Sequence, residues 1–236
     1  MGNQAIGQLL QDIYHRLLSH YGPQHWWPAP EPFEVIAGAI LTQSAAWVNV
    51  EKAIANLKAA GVLSPVALRR LPQAEVAKLI YSSGYYNAKA RKLKAFTQWL
   101  GDQYNDDLKA LFSNDIDRLR DQLLAIYGIG EETADSIILY AAGKPIFVID
   151  AYTRRIVSRL GMAPNGKNYA AFQTLFMANL PADTKLFNEY HALLVQQAKN
   201  ICRTRPLCQR CCLNISDITH TNSSKPEFPC SVVSRL

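Results

Sequence analysis

An all-α fold is the prediction for this chain of 236 residues, and three observations make it. Apolar residues recur every three or four positions along most of the length. Segments that alternate with period two are nearly absent. Breaks rich in Pro, Gly, Ser and Asn divide the periodic runs into helix-sized pieces. At 49% hydrophobic residues the chain can bury a substantial core.

The first run, IGQLLQDIYHRLLSHY, predicts a helix over 6–21. PAPEP at 28–32 interrupts the chain, and FEVIAGAIL (33–41) resumes the helical repeat. VNVEKAIANLKAAGV (48–62) ends before Ser64-Pro65, and AEVAKLIY (74–81) ends before Gly84. ARKLKAFTQWLGDQY (90–104) and IDRLRDQLLAIY (116–127) flank a break at Ser113-Asn114-Asp115. Gly128-Ile129-Gly130 separates that last run from ETADSIILYAA (132–142). PIFVI (145–149) is a candidate strand, but a short one between helical segments. AYTRRIVSRL (151–160) precedes a break at 163–166, and KLFNEYHALLVQQAKNI (185–201) is the last periodic stretch. Beyond Cys212 periodicity gives way to Ser, Thr, Pro and Asn, so 213–236 reads as a flexible tail.

The N-terminal residues lack the charged start and apolar run of a secretory signal, and no stretch is long enough to span a bilayer. A cytoplasmic setting with reduced thiols is expected. Lys and Arg number 25 against 19 Asp and Glu, a formal charge of +6. That balance suits a polyanionic partner and equally serves solubility alone.

Gly128-Ile129-Gly130 between two helical patterns carries more information. Glycines permit positive φ and close backbone approach, and the following helix opens with unpaired N–H groups and the positive end of its dipole. Together they would suit a DNA phosphate, with Ile129 anchoring the turn in the core, although a bare G-x-G more often marks an ordinary turn between helices. Asp150, just before AYTRRIVSRL, suits two roles: a helix N-cap, and a carboxylate that stabilises a cationic sugar or orients water.

The continuous stretch LLAIYGIGEETADSIILYAAGKPIFVIDAYTRRIVSRLG resembles the signature of the helix-hairpin-helix DNA glycosylases, the endonuclease III superfamily. PFEVIAGAILTQSAAWVNVEKA (32–53) and GYYNAKARKLKAF (84–96) resemble two further segments of that family, and the likeness covers about four fifths of the chain. Tyr127 stands where the family usually has Pro. The resemblance implies two helical lobes with a DNA cleft between them. Residues 1–212 would form the glycosylase domain: an inner lobe of about 31–135, a second lobe of 1–30 plus 136–201, and a cysteine loop at 202–212. Gly128, Ile129, Gly130 and Thr133 become the hairpin contacts to DNA, and Asp150 the catalytic acid.

Glu132 then acquires meaning. Bifunctional members of the family carry at that place a Lys that forms a Schiff base with the sugar; a carboxylate cannot form an imine. A monofunctional enzyme is expected, with water as nucleophile and an abasic site as product. Trp26-Trp27-Pro28, Leu41-Thr42-Gln43 and Trp47 resemble the 3-methyladenine DNA glycosylase III branch, in which the extruded base stacks between two aromatics, here Trp27 with Pro28, and Trp47. Indole faces attract the cation of an alkylated purine. Trp26, Glu132 and Lys199 complete the expected base pocket, while His191 reads as structural.

Cys202, Cys208 and Cys211 have thiolate-ligand spacing just after the last helix, where many members of the superfamily hold a [4Fe–4S] cluster. The usual fourth place is Asp217, and Cys212 and Cys230 are the remaining thiols. An intact cluster with its fourth ligand unassigned and a remnant of one are both open, and the chemistry requires neither. The expected activity is excision of alkylated purines from double-stranded DNA by a monomer with no membrane association. Excision of another damaged or mismatched base, and a catalytically silent DNA-binding module, are the alternatives.

Overall fold

The computed structural model describes residues 3–214, and among the described residues the chain forms twelve α-helices and no strand. They are α1 (Asn3–Tyr21), α2 (Pro32–Thr42), α3 (Trp47–Ala59), α4 (Pro65–Arg70), α5 (Gln73–Leu79), α6 (Tyr86–Tyr104), α7 (Leu108–Phe112), α8 (Ile116–Leu124), α9 (Glu131–Ser136), α10 (Ala151–Arg159), α11 (Tyr169–Met177) and α12 (Thr184–Asn200). Several starts are legible side-chain caps: Ser64, Asp107, Asp115, Asp150, Asn168 and Asp183 each accept a hydrogen bond from an amide in the first turn. Residues 145–149 form no strand; they have no regular secondary structure and bury Ile146, Phe147, Val148 and Ile149.

The chain divides into two compact units. One is continuous, Trp27–Ile146; the other joins the chain up to Trp26 with the chain from Phe147 onward. These borders lie outside the expected 31 and 135, for a physical reason. Trp27 packs against Gly38, Trp47 and Tyr140, and α9 runs on through a wider turn at Ile137–Ala141 that packs on α2. Both edges therefore stay with the inner unit.

In that unit α2 is the central rod, with Phe33 and Val35 through Leu41 all buried. This explains its nearly unbroken apolar sequence. It packs against α3, α6 and the α9 extension. In the other unit α12 packs against α1 and α10. Its core is aromatic: Phe147 stacks on Phe176 with centroids 3.9 Å apart and meets Phe187 and Tyr190 edge-on. The Tyr190 hydroxyl donates to the Leu10 carbonyl at 2.8 Å.

Leu213 is buried and the Asn214 side chain donates to the Cys208 carbonyl, so the cysteine loop extends past 212. The rest of the expected tail, with Cys230, lies outside the described residues.

Candidate active site

Asp150 ends this irregular segment and caps α10. Its Oδ1 accepts the Thr153 amide at 2.7 Å, the N-cap bond expected of this residue. The segment leading to it is fixed from one helix face. The Ile149 amide donates to the Tyr169 hydroxyl at 3.1 Å, and the Gln173 side chain donates to the Phe147 carbonyl at 2.8 Å. Tyr169 and Gln173 are one turn apart on α11, so a single surface satisfies two backbone groups of a segment that has no strand partner. With Phe147 locked in the aromatic core, the carboxylate has little freedom to wander.

Asp150 is 9% exposed, and its Oδ2 lies 3.7 Å from His191 Nε2. At that separation the pair is an electrostatic contact rather than a full hydrogen bond. Burial pushes the Asp150 carboxyl up, but His191 and the Thr153 amide outweigh it and hold the group below the ordinary carboxylate range. The result is a buried, ionised acid. Such a group can stabilise a developing sugar cation or orient a water. His191 is therefore more than a packing residue. Only its place on the inward face of α12 could have suggested this. Lys199 stands exposed in the last turn of α12, about 12 Å along the axis from His191 at 1.5 Å per residue.

The inner unit carries the hairpin. Gly128 has φ +80°, a conformation other residues adopt only with strain, and a side chain there would collide with Lys92. Ile129 is 5% exposed and anchors the turn, and Gly130 caps α9 with extended backbone. Thr133 is also buried. Its hydroxyl accepts from Gln43 Nε2 at 2.9 Å, so this side chain is turned into the protein, and a contact with DNA would fall to its backbone. Gln43 Nε2 also donates to the Gly128 carbonyl at 3.1 Å, while Lys92 donates to Gln43 Oε1. Gln43 thus braces the hairpin from the loop after α2; in the sequence it served only as part of a signature. Asp135, fully buried in α9, pairs with Arg120 of α8 at 2.7 Å, which fixes the two helices flanking the hairpin. Glu132 is exposed on the first turn of α9.

The indoles depart from the expected sandwich. Trp27 and Trp47 meet edge to face, with centroids 5.1 Å apart and planes at 86°. A base held between two parallel rings needs about 7 Å, two van der Waals spacings. The pair as it stands touches itself, so at most one ring face is offered unless Trp27 or Trp47 turns. Trp27 is held against α2 by Gly38, where a Cβ would lie 2.7 Å from its Cζ2. A cavity of about 250 Å³ opens beside the pair, lined by Trp27, Pro28, Gly38, Trp47, Glu51 and Lys58 among others. Trp26 is half-buried and belongs to the other unit.

Cys202, Cys208 and Cys211 line one small apolar cavity of about 30 Å³. Arg159 donates to Cys202 Sγ at 3.3 Å and Gln197 to Cys211 Sγ at 3.0 Å. Cys212 Sγ faces Gln197 Oε1 at 3.9 Å instead of the other three. Burial pushes the Cys211 and Cys212 thiols up, the latter to about 11, and the nearby Cys202 and Cys208 add to the rise at Cys211. Among the described residues no set of three His, Cys, Asp or Glu side chains converges on a metal position. Among the described residues this donor set does not complete a four-thiolate cluster; Asp217 and Cys230 lie outside them.

A helical hairpin leading into a capped, buried aspartate defines a DNA glycosylase fold, and comparison with known proteins agrees. Residues 37–182 match the family model described as HhH-GPD superfamily base excision DNA repair protein. The chain belongs to this family. It is 43% identical over 205 residues to MJ1434 of Methanocaldococcus jannaschii, a protein assigned by its name to the DNA repair glycosylases; the match covers 86% of this chain and 93% of the relative. Among solved structures, the Helicobacter pylori 3-methyladenine DNA glycosylase MagIII, bound to 1,N6-ethenoadenine, superposes with a TM-score of 0.69 at 24% identity, covering 84% of this chain and 98% of the other. An endonuclease III–DNA covalent intermediate superposes with a TM-score of 0.74 at 22% identity, covering 87% and 92%. At these identities the two structures speak for the fold.

Proposed function

We propose that this glycosylase is monofunctional and hydrolyses the N-glycosidic bond of alkylated, cationic purines of the 3-methyladenine type, leaving an abasic site. The observation that carries the reading is the buried carboxylate of Asp150, held ionised by His191 and the Thr153 amide. As the bond to the base lengthens, positive charge grows on the sugar. A fixed carboxylate in a water-poor setting stabilises that charge without reorganising, and it can align or deprotonate the attacking water.

The nature of the substrate follows from what the enzyme has to supply. A purine alkylated at N3 or N7 carries a positive charge and departs neutral, so little acid catalysis is needed. Trp27, beside Pro28, and Trp47 offer aromatic surface to such a cation once the edge-to-face pair opens. Glu132 stands where an imine-forming lysine would act and adds negative charge for a cationic base. The MagIII neighbour, named for 3-methyladenine, lends the reading weight. Gly128, Ile129 and Gly130 offer backbone to a phosphate. Lys199, exposed on α12, is assigned no contact with the base. The chemistry draws on no cluster at Cys202, Cys208 and Cys211, and the protein acts on duplex DNA as a monomer.

The test is a panel of duplexes carrying 3-methyladenine, 7-methylguanine, hypoxanthine, oxidised pyrimidines and mismatches, assayed under single-turnover conditions with and without alkali. Preference for the methylated purines is expected; preference for an oxidised pyrimidine would overturn the substrate assignment.

A further inference from the structure

Four cations crowd the first half of α6: Lys89, Arg91, Lys92 and Lys94. Three of them are turned to acceptors in the protein. Lys89, 2% exposed, donates to the Leu41 carbonyl at 2.8 Å and the Ser83 carbonyl at 2.6 Å. Lys92 donates to Gln43 Oε1. Lys94 donates to the Arg69 and Leu71 carbonyls at 2.6 and 2.7 Å. Arg91 differs. It is exposed, and among the described residues its guanidinium has neither a hydrogen bond nor an ion pair. What holds it is a ring: its central carbon lies 4.0 Å from the centroid of the Tyr127 ring.

That arrangement leaves the cation fixed and unspent. A guanidinium stacked on an aromatic face gives its plane to the ring and keeps its N–H donors around the rim, in the fork that matches a phosphate. The stacking also removes freedom from a long side chain before any ligand arrives, so less is lost on binding. Tyr127 is the residue that stands where the family usually has Pro, and a Pro has no π face with which to hold a cation. The place is specific as well. Tyr127 immediately precedes Gly128, and Gly128 sits against the Lys92 side chain, so α6 at 91–92 lies alongside the start of the hairpin. The hairpin itself is already braced by Gln43, which leaves the Arg91–Tyr127 pair without a structural task of its own.

We propose that Arg91 binds a backbone phosphate of duplex DNA through its side chain and that Tyr127 is the positioning residue that aims it. The contact is borne by charge and carries no sequence or lesion information. It rests on the protein acting on duplex DNA, and on no particular base being removed.

The experiment is a salt titration of a double-mutant cycle. Parent, Arg91→Gln, Arg91→Lys, Tyr127→Phe, Tyr127→Leu and the Arg91→Gln/Tyr127→Leu double are titrated against a duplex containing a tetrahydrofuran abasic analogue, and each variant is melted in parallel. Arg91→Gln should make the slope of log affinity against log salt shallower by about 0.9, which near 0.1 M salt is a loss of about tenfold. Arg91→Lys, which keeps the charge, should keep the slope. Tyr127→Leu should bind about threefold more weakly at parental slope, Tyr127→Phe should match the parent, and Tyr127→Leu should cost nothing further once Arg91 is Gln. A parental slope in Arg91→Gln would overturn the proposal, as would a loss from Tyr127→Leu that is the same with or without Arg91. A lowered melting temperature at parental slope would make the pair a brace of the hairpin alone and overturn it too; Arg91→Met, read the same way, replaces Arg91→Gln if that variant does not fold. The abasic duplex separates this from the substrate reading. A parent that fails to bind it overturns action on duplex DNA and this contact together, whereas a parent that binds with an unaltered Arg91→Gln slope overturns the contact only.

Discussion

At the scale of single residues, Asp150 combines two properties that can be separated. Asn caps a helix as well as Asp does, so Asp150→Asn should keep the Thr153 bond while removing the charge. Excision should fall by about 10²–10³-fold, with thermal stability changed by no more than about 1 kcal/mol at neutral pH. A variant that unfolds would mark the acid as structural. The sign of the pH effect follows from the depressed carboxyl. Its stabilisation is complete above the unfolded value of about 3.9 and is lost as pH falls through the lower folded value. Acid unfolding of parent and Asp150→Asn should accordingly converge only below about pH 4, which a pair of melting curves against pH would show. Trp27 gives a second residue-scale test. Gly38→Ala puts a methyl where the indole lies, so the ring must move, and near-ultraviolet circular dichroism should change along with a loss in excision of cationic bases. An unaltered aromatic spectrum would mean that Trp27 is not seated there.

At the scale of elements, much of the fold was legible because helix periodicity and caps are local signals. The run 33–41 announced a helix, and α2 is one. Gly128-Ile129-Gly130 announced a turn with an inward anchor, and Ile129 is buried. What the sequence hid are contacts between distant segments: Gln43 under the hairpin, His191 beside Asp150, and Tyr169 with Gln173 holding the irregular segment. The inward turn of the Thr133 side chain was hidden for the same reason. Its hydroxyl has a partner 90 residues away in the chain, and no local pattern encodes that. The edge-to-face indoles, too, depend on how far Gly38 lets Trp27 settle. The Arg120–Asp135 pair is a further tie between helices, and Arg120→Met would remove a charge partner of the Asp135 carboxylate, which is 0% exposed. A loss of about 3–5 kcal/mol in chemical denaturation is expected. Lys89 gives an alkaline counterpart. Burial, with Lys92 nearby, lowers its pKa to about 8, so the unfolded chain holds the proton more tightly between there and the ordinary value. Across that window the parent should gain up to about 3 kcal/mol relative to Lys89→Met. A difference that stays flat with pH would contradict it.

At the scale of the whole molecule, the family fixes the class of reaction, and the choice between hydrolysis and strand cleavage turns on the hairpin. The inner unit supplies the hairpin and two indoles, the other unit the acid, and each builds its part from its own packing. Neither part of this account includes an amine that attacks the sugar. The most direct measurement of the central claim is borohydride trapping with a duplex that carries 3-methyladenine, run beside an alkali-dependent nicking assay. The account predicts excision, strand breaks only after alkali or heat, and no covalent protein–DNA complex on reduction. A trapped complex formed in step with excision would contradict it, because it would require an imine that Glu132 cannot form.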